Sequence, residues 1–504
     1  MGDVAGKGNP ERPVVAVIGG GIAGLAAAVR LSDDFGGPGE PAGIRVILLE
    51  SAPELGGKLR AATVGAVTVD VGAESLLASR PEAVDFAHAV GLESQLEAPA
   101  VSAPGLVLPG GVVRALPPGL VMGIPGDVVG LRAAEVLSDE AMALVAAEAN
   151  REVPRIDSDV SLGRYIRGRL GDEVVERLVE PLLGGVYAGH SDELSLQACI
   201  PAVFAAVAQG STLTGAAQDL VERSRLADLD DRAPSSRGGN RFVGIRGGVA
   251  RLVESAAELL RSRGVELRTQ STVRELARAS HGWRLTVGSA ADPDHIDVDA
   301  VILATPALSA SRLLHKIVSG VAQDIGEIEY ASVAVVTYAF RRSDVAGVAG
   351  SSGLLVVPQP DRIVKASTFS SSKWAWLAQE CAARDEPLVL LRGSIGRFGE
   401  QAVLQRDDDE LAGLAEDELR PLIRARAGSV DHVVTRWAGS LPQYRVGHLQ
   451  RVARIRRGVA ALPGLAVVGA AYDGVGVAAC VASGQSGAAH VAASLRYRAE
   501  PGHQ

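Results

Sequence analysis

VVAVIGGGIAGL, residues 14–25, is a β-branched apolar run that stops in three glycines and restarts as an alanine-rich helix. It predicts a short buried strand, a tight turn and a helix amino terminus. In the pattern G-x-G-x-x-G, Gly19 permits the turn, Gly21 lets a pyrophosphate approach the main chain, and Gly24 lets helix pack on strand. The free amides at the start of the helix over residues 22–31, together with its macrodipole, favour a phosphate anion. The motif gains weight from a second strand, IRVILLE at residues 44–50, whose terminal Glu50 can accept two ribose hydroxyls. That acid arrives later than the usual spacing of about 20 residues, and the Gly/Pro-rich insertion at residues 33–43 accounts for the delay. The competing reading is a glycine-rich turn in an ordinary α/β domain.

A chain of 504 residues has room for two or three domains with large cores. Its apolar share of 47% and 59 glycines fit an α/β protein rich in turns, with a core of Val, Leu and Ala because aromatics are only 4%. A formal charge of −9 argues against nucleic acid as partner. It also means that an anionic substrate must be held by a local cluster of arginines. Cys199, Cys381 and Cys480 are far apart and odd in number, giving neither a disulfide framework nor a metal spacing. A reducing cytoplasm is the simplest setting. The polar residues 1–12 read as a floppy tail rather than a signal peptide, and the longest uncharged stretches are broken by Gly, Pro, Ser or Gln, a poor composition for a spanning helix.

Beyond Glu50 come ELGGKLR at residues 54–60 and VTVDVGAES at residues 67–75. Gly56 and Gly57 allow close main-chain approach to a ligand, while Lys58 and Arg60 put cations where phosphates or substrate acids could lie. Residues 98–127, punctuated by prolines, read as a wall of loops over a cavity. Helical periodicity follows at residues 127–150 and 161–183, the latter with Leu162, Ile166, Leu170, Val174, Leu178 and Leu182 in step. Residues 223–240, rich in alternating Asp and Arg, read as a mobile surface loop. GIRGG at residues 244–248 leads into an amphipathic helix, then strand VELRT and Val273. DAVILATPA, residues 299–307, reads as a buried parallel strand. Between residues 330 and 436 alternating strands predict a sheet with one face buried and one exposed, on which Lys365, Lys373, Trp374 and Arg392 stand out. The charged stretch at residues 407–426 reads as a solvent-facing cover helix. Near the carboxyl end a strand at residues 465–469 runs into Gly474 and Gly476 and then a helix, a second strand-glycine-helix site. Two such sites in one chain suit a cofactor with a long body.

The glycine motif, GGKLR, DVGAES, GVYAG at residues 185–189, GIRGG, LPQY at residues 441–444 and AYDGVGVAACVASG at residues 471–484 run through nearly the whole chain. In this order they resemble the FAD-dependent protoporphyrinogen/coproporphyrinogen oxidase family, in its bacterial Gram-positive or actinobacterial type, within the flavin amine oxidase superfamily. The resemblance implies an α/β, or mixed α+β, architecture: a discontinuous Rossmann-like FAD-binding domain, a mixed-sheet substrate domain and a helical subdomain. On that reading residues 1–12 are the tail, 13–97, 241–307 and 437–504 form the FAD-binding domain, 98–205 the helical subdomain, and 206–240 with 308–436 the substrate domain.

The same resemblance implies noncovalent FAD held by Gly19, Gly20, Gly21, Ile22, Ala23, Gly24, Glu50, Ser51, Lys58, Gly72, Ala73, Glu74, Ser75, Val273, Trp437, Gly474, Val475, Gly476, Val477 and Ala478. It implies substrate contacts from Arg60 and Arg80, joined here by the basic candidates Lys365 and Arg392. GAES stands where relatives often have GP, and Arg80 where some have Lys. The implied activity is six-electron oxidation of coproporphyrinogen III to the porphyrin in haem biosynthesis, with molecular oxygen reoxidising the flavin and peroxide released. No side chain is assigned as catalytic and no metal is expected, because flavin N5 carries the hydride transfer. Protoporphyrinogen IX is the alternative substrate, another flavin oxidase or desaturase acting on amines or isoprenoids a second, and a non-catalytic dinucleotide scaffold a third. The resemblance also admits peripheral membrane contact and transient contact with a ferrochelatase, and leaves oligomeric state open.

Overall fold

The computed structural model describes residues 12–34, 43–228 and 242–499. Residues 1–11 of the expected tail, most of the insertion after the first helix and residues 229–240 of the expected mobile loop lie outside the described residues. Val14–Ile18 is the centre of a five-stranded parallel sheet ordered Glu266–Arg268, Arg45–Leu49, Val14–Ile18, Ala300–Leu303, Leu465–Val467. Its inner strands are apolar on both faces, as a parallel sheet covered on both sides requires. Val15 and Val17 point into a core shared with helices Ile22–Asp34, Arg251–Ser262 and Val477–Ala499. Ala16 and Ile18 point the other way, into a core built with a three-stranded antiparallel sheet and helices Ala307–Leu314, Ser319–Gly326 and His448–Ala460.

A seven-stranded mixed sheet forms the second layer, ordered Asp431–Pro442, Tyr330–Arg341, Leu388–Ile395, Val364–Thr368, Gly353–Val356, Pro104–Val107, Val113–Ala115. Strands Pro104–Val107 and Val113–Ala115 come from the proline-punctuated stretch read as loops, and Asp431–Pro442 runs across the expected boundary at residue 436. The reason is long-range pairing: Pro104–Val107 adds in parallel to Gly353–Val356 and carries Val113–Ala115 as the edge strand, partners that the local sequence does not announce. The helical region is as periodic as expected but broken. Gly171, at φ 88°, separates Leu162–Leu170 from the following turns and from Glu180–Tyr187. Residues 223–228, expected in the mobile loop, close the helix Leu213–Asp228 instead, with Arg225 paired to Glu222 one turn back. No helix among the described residues is long and apolar enough to cross a membrane.

Candidate functional site

Both glycine turns leave the same carboxyl edge of the parallel sheet, separated by the single strand Ala300–Leu303. That edge is where open α/β sheets bind ligands. The three glycines of the first turn have separate roles. Gly19 takes φ 110°, and a Cβ on it would meet the Ala304 carbonyl oxygen at 2.6 Å. A Cβ on Gly24 would overlap the Gly19 carbonyl oxygen, so that glycine serves helix–strand packing. A Cβ on Gly21 would meet nothing within 4 Å, so the space in front of it is open. The Gly56–Gly57 pair closes over the turn: Gly56 donates to the Gly20 carbonyl at 2.8 Å, and the Cβ position of Gly57 lies 3.4 Å from the Gly21 Cα.

Glu50 ends its strand beside this turn. Its carboxylate accepts from the amides of Gly20 at 2.7 Å and Ala52 at 2.8 Å, and from the Ser51 hydroxyl at 3.1 Å. A carboxylate has about four acceptor positions, so Glu50 organises the turn and keeps capacity for a ligand hydroxyl. Residues leading to Val273 run alongside, since Ser271 donates to the Glu50 carbonyl at 2.8 Å.

The second turn starts at Gly469, φ 114°, passes Gly474, φ 131°, and enters Val477–Ala499. A Cβ on Gly476 would again meet nothing within 4 Å. The two turn helices lie directly on one another, because Gly484 leaves no room for a Cβ against the Ala23 carbonyl. The site therefore has two open helix amino termini on one sheet edge, with free space at the one glycine in each where a phosphate or a ring would approach. An elongated dinucleotide-type cofactor fits this donor set, with main-chain amides for its anionic centre and an acid for its ribose.

A third wall comes from residues 58–75. Lys58 reaches into the recess beside the second turn; the surrounding protein lowers its pKa, opposed by the nearby Cys480 thiol. Burial pushes that thiol up to about 11. The Lys58 carbonyl receives the Ala73 amide at 3.1 Å and leaves no room for a Cβ on Gly72. Trp437 closes the corner, its indole N–H donating to the Val71 carbonyl at 3.3 Å. Arg60 lies over that indole, 5.6 Å from its centroid, with no ion pair among the described residues.

The remaining basic candidates are placed differently from the expectation of an exposed sheet face. Both faces of the central strands of the seven-stranded sheet are covered: helix Asp408–Leu422 packs on one, and helix Ala375–Ala382 with the hairpin strands Ala61–Val64 and Val67–Asp70 on the other. Lys365 is 5% exposed and donates to the Gly396 carbonyl at 2.9 Å. Burial, reinforced by Arg397, lowers its pKa to about 7. Trp374 is buried. Arg392 and Lys373 both pair with Glu74, at 3.0 and 2.9 Å. Burial pushes Glu74 up, but these two cations, a hydrogen bond from Lys373 and one from Ser370 bring it down to about 2. The Glu74 carboxylate is thus committed within the protein, which leaves its main chain for any cofactor contact. Arg80 precedes helix Pro81–Ala89, half exposed, 3.7 Å from Glu82, and none of its hydrogen bonds or ion pairs reaches either glycine turn.

Several residues that hold the site were not singled out from sequence. Asp70 accepts from the amides of Val249 at 2.7 Å and Ala250 at 3.0 Å, fastening the GIRGG turn to the hairpin, and burial raises its pKa to about 6. Ser370 carries no motif; Gly484 ends the stretch AYDGVGVAACVASG, where the run of small residues in the carboxyl-terminal helix signals close helix packing. The tyrosine of GVYAG meets LPQY: Tyr187 and Tyr444 have ring centroids 5.6 Å apart, and the Tyr444 hydroxyl donates to the Ala470 carbonyl in the second turn. No group of three or more potential metal ligands occurs among the described residues.

Residues 22–492 match the family described as flavin containing amine oxidoreductase. A coproporphyrinogen III oxidase of Mycobacterium leprae is 34% identical over 93% of this chain and 95% of its own length. The protoporphyrinogen oxidase of Bos taurus is 28% identical over 95% of this chain and 98% of its own length. Among solved structures, a protoporphyrinogen oxidase candidate from Exiguobacterium sp. 255-15 superposes with a TM-score of 0.80 at 28% identity, covering 97% of this chain and all of that one.

Proposed function

The chain belongs to the flavin containing amine oxidoreductase family and is a flavin-dependent oxidase, and from that premise we propose that it oxidises coproporphyrinogen III to coproporphyrin III with FAD and molecular oxygen. The observation that carries the cofactor is the convergence of two open, glycine-lined helix amino termini on one sheet edge. The substrate rests on relatives of that name, similar over almost their whole length. The relative named protoporphyrinogen oxidase supports the second reading, protoporphyrinogen IX as substrate.

In this reading the main chain of residues 19–24 takes the pyrophosphate and Glu50 the adenosine ribose. Val273 lies at the adenine, and residues 474–478 take the flavin end. When bound there, the flavin would supply the two-electron redox chemistry, used three times per porphyrinogen, with molecular oxygen as the electron acceptor and hydrogen peroxide as its product. The protein's own share is binding, orientation and a dry recess; each two-electron oxidation also releases a proton, for which no side chain is assigned. Arg60 is the cation we assign to the substrate carboxylates, because its guanidinium has no ion pair among the described residues and stands beside Trp437. The test is anaerobic addition of coproporphyrinogen III to the purified yellow protein. Bleaching of the flavin band with porphyrin fluorescence, then recovery and peroxide on admitting air, is expected. A flavin that stays oxidised under these conditions overturns the proposal.

A further inference from the structure

Arg392, Lys373 and Glu74 come from segments about three hundred positions apart and meet in the seam between the two layers. Glu74 Oε1 takes Lys373 Nζ at 2.9 Å, and Oε2 takes Arg392 Nη2 at 3.0 Å and the Ser370 hydroxyl at 2.9 Å. Lys373 also donates to the Ser75 hydroxyl at 2.8 Å. Such buried ionic groups add little net stability over a well-packed apolar set, since desolvation offsets much of their attraction. Geometry distinguishes them here. Arg392 Nη1 donates to the carbonyls of Gly72 at 2.8 Å and Asp70 at 3.2 Å, so one guanidinium grips the main chain and the Glu74 side chain of the same strand exit.

The gripped segment is confined on its other sides too. Gly72 abuts the Lys58 carbonyl, and its Cβ position is 3.2 Å from the Trp437 ring; the Ala73 amide is tied to Lys58. Lys58, residues 72–75 and Trp437 are the third wall of the cofactor recess. Arg392 stands one layer behind that wall, with its Nη groups spent on protein acceptors.

We propose that Arg392, Lys373 and Glu74 are positioning residues: a clamp, with Arg392 from the seven-stranded sheet and Lys373 from the short helix Ser370–Lys373, that fixes the main chain of residues 72–75 in the cofactor recess and thereby sets flavin affinity and flavin environment. The inference rests on the cofactor placement given above. It removes Arg392 from the residues that receive substrate carboxylates. The planar guanidinium is required because it alone forks to two carbonyls and a carboxylate at once; an ammonium at the same place has no such fixed geometry.

The test uses Arg392→Gln and Arg392→Lys in the full chain, with FAD affinity measured by titrating the flavin-stripped protein, the flavin midpoint potential, and KM for coproporphyrinogen III at saturating FAD. Arg392→Gln is expected to weaken FAD binding by about tenfold or more, the scale of one lost charge-assisted hydrogen bond, and to shift the potential. Arg392→Lys should recover part of both, while KM stays within about twofold, since a residue one layer behind the wall makes no substrate contact. Unchanged FAD affinity and potential with a raised KM would overturn the clamp and make Arg392 a substrate contact. If Arg392→Gln does not fold, Ser370→Ala decides together with Arg392→Lys. It removes one donor to Glu74 without changing charge, and both variants should loosen FAD several-fold and move the potential. Wild-type affinity and potential in both refute the clamp. A wild-type protein that neither carries nor takes up flavin would instead refute the cofactor placement.

Discussion

Replacing Gly21 by alanine separates ligand exclusion from folding, because the open space at this glycine makes the two effects independent. The added methyl would meet no protein atom within 4 Å, and the residue does not occupy the left-handed region. The flavin-free variant should therefore be as stable as the parent, or more so by about 0.4–1 kcal/mol through the unfolded chain. The same methyl stands where a pyrophosphate would approach the main chain. Loss of one charge-assisted hydrogen bond there costs about 1.5–3 kcal/mol, roughly 10- to 150-fold in affinity. At free FAD of about 100 times the parent Kd, ligand binding stabilises the parent by about 2.7 kcal/mol, and a variant about 100-fold weaker by only about 0.4 kcal/mol. Gly24→Ala is the control. Its Cβ would overlap the Gly19 carbonyl oxygen and lie 3.3 Å from the Ala304 Cβ, so it should lower flavin-free stability by about 1–3 kcal/mol. Melting of both variants with and without FAD, alongside FAD titration, reads the contrast. A Gly21→Ala protein with parental FAD affinity would refute the placement of the pyrophosphate.

Glu50→Ala should lower FAD affinity by about one to two powers of ten and also destabilise the flavin-free chain by about 1–3 kcal/mol, because the Gly20 and Ala52 amides lose their acceptor; denaturant melts and FAD titration measure the two parts, and a change in neither removes Glu50 from the site. Arg60→Ala should raise KM for coproporphyrinogen III by about tenfold with FAD content unchanged, the scale of one hydrogen bond to a charged group. Arg80→Ala should change it less than about threefold, since an exposed arginine already beside Glu82 offers only a surface pair; steady-state kinetics would contradict the assignment by reversing that order. Acid should weaken the fold through His448, which is stacked on Tyr444 with centroids 4.0 Å apart and driven to a pKa of about 4 by burial, with Arg451 adding and Asp159 and Asp473 opposing. Its folded pKa lies below the unfolded value of about 6.5, so the unfolded chain binds the extra proton: stability is full above about pH 6.5 and falls toward pH 4, by at most about 3 kcal/mol. His448→Phe should flatten that fall between pH 7 and 5 in urea melts, and an identical slope in parent and variant would exclude His448 as its source.

The two glycine turns were legible because their requirements are local. Gly19, Gly21 and Gly24 each answer a need of the turn, and Glu50 ends a strand whose apolar run needs no distant partner to be recognised. The second turn was legible for the same reason. The basic residues were not, because alternation along Val364–Thr368 and Leu388–Ile395 tells which side chains share a face but not what covers it. Lys365 and Arg392 read as exposed cations, yet Lys365 is buried against the Gly396 carbonyl and Arg392 is held by the carbonyls of Asp70 and Gly72 at the end of the hairpin. Pro104–Val107 escaped for a related reason: a four-residue strand that begins on a proline carries no pattern until Gly353–Val356 and Val113–Ala115 are beside it. Glu74 shows the limit of carrying a role over by position, since the motif does not tell that its carboxylate serves Arg392, Lys373 and Ser370.

The central claim is that this flavin-dependent oxidase works on the tetracarboxylate porphyrinogen. Initial rates with coproporphyrinogen III and protoporphyrinogen IX, followed side by side by oxygen uptake and porphyrin fluorescence at matched FAD saturation, test it most directly. The account predicts a kcat/KM for coproporphyrinogen III at least about tenfold higher, the worth of one further charge-assisted contact of about 1.4 kcal/mol. An equal or higher kcat/KM for protoporphyrinogen IX would contradict it.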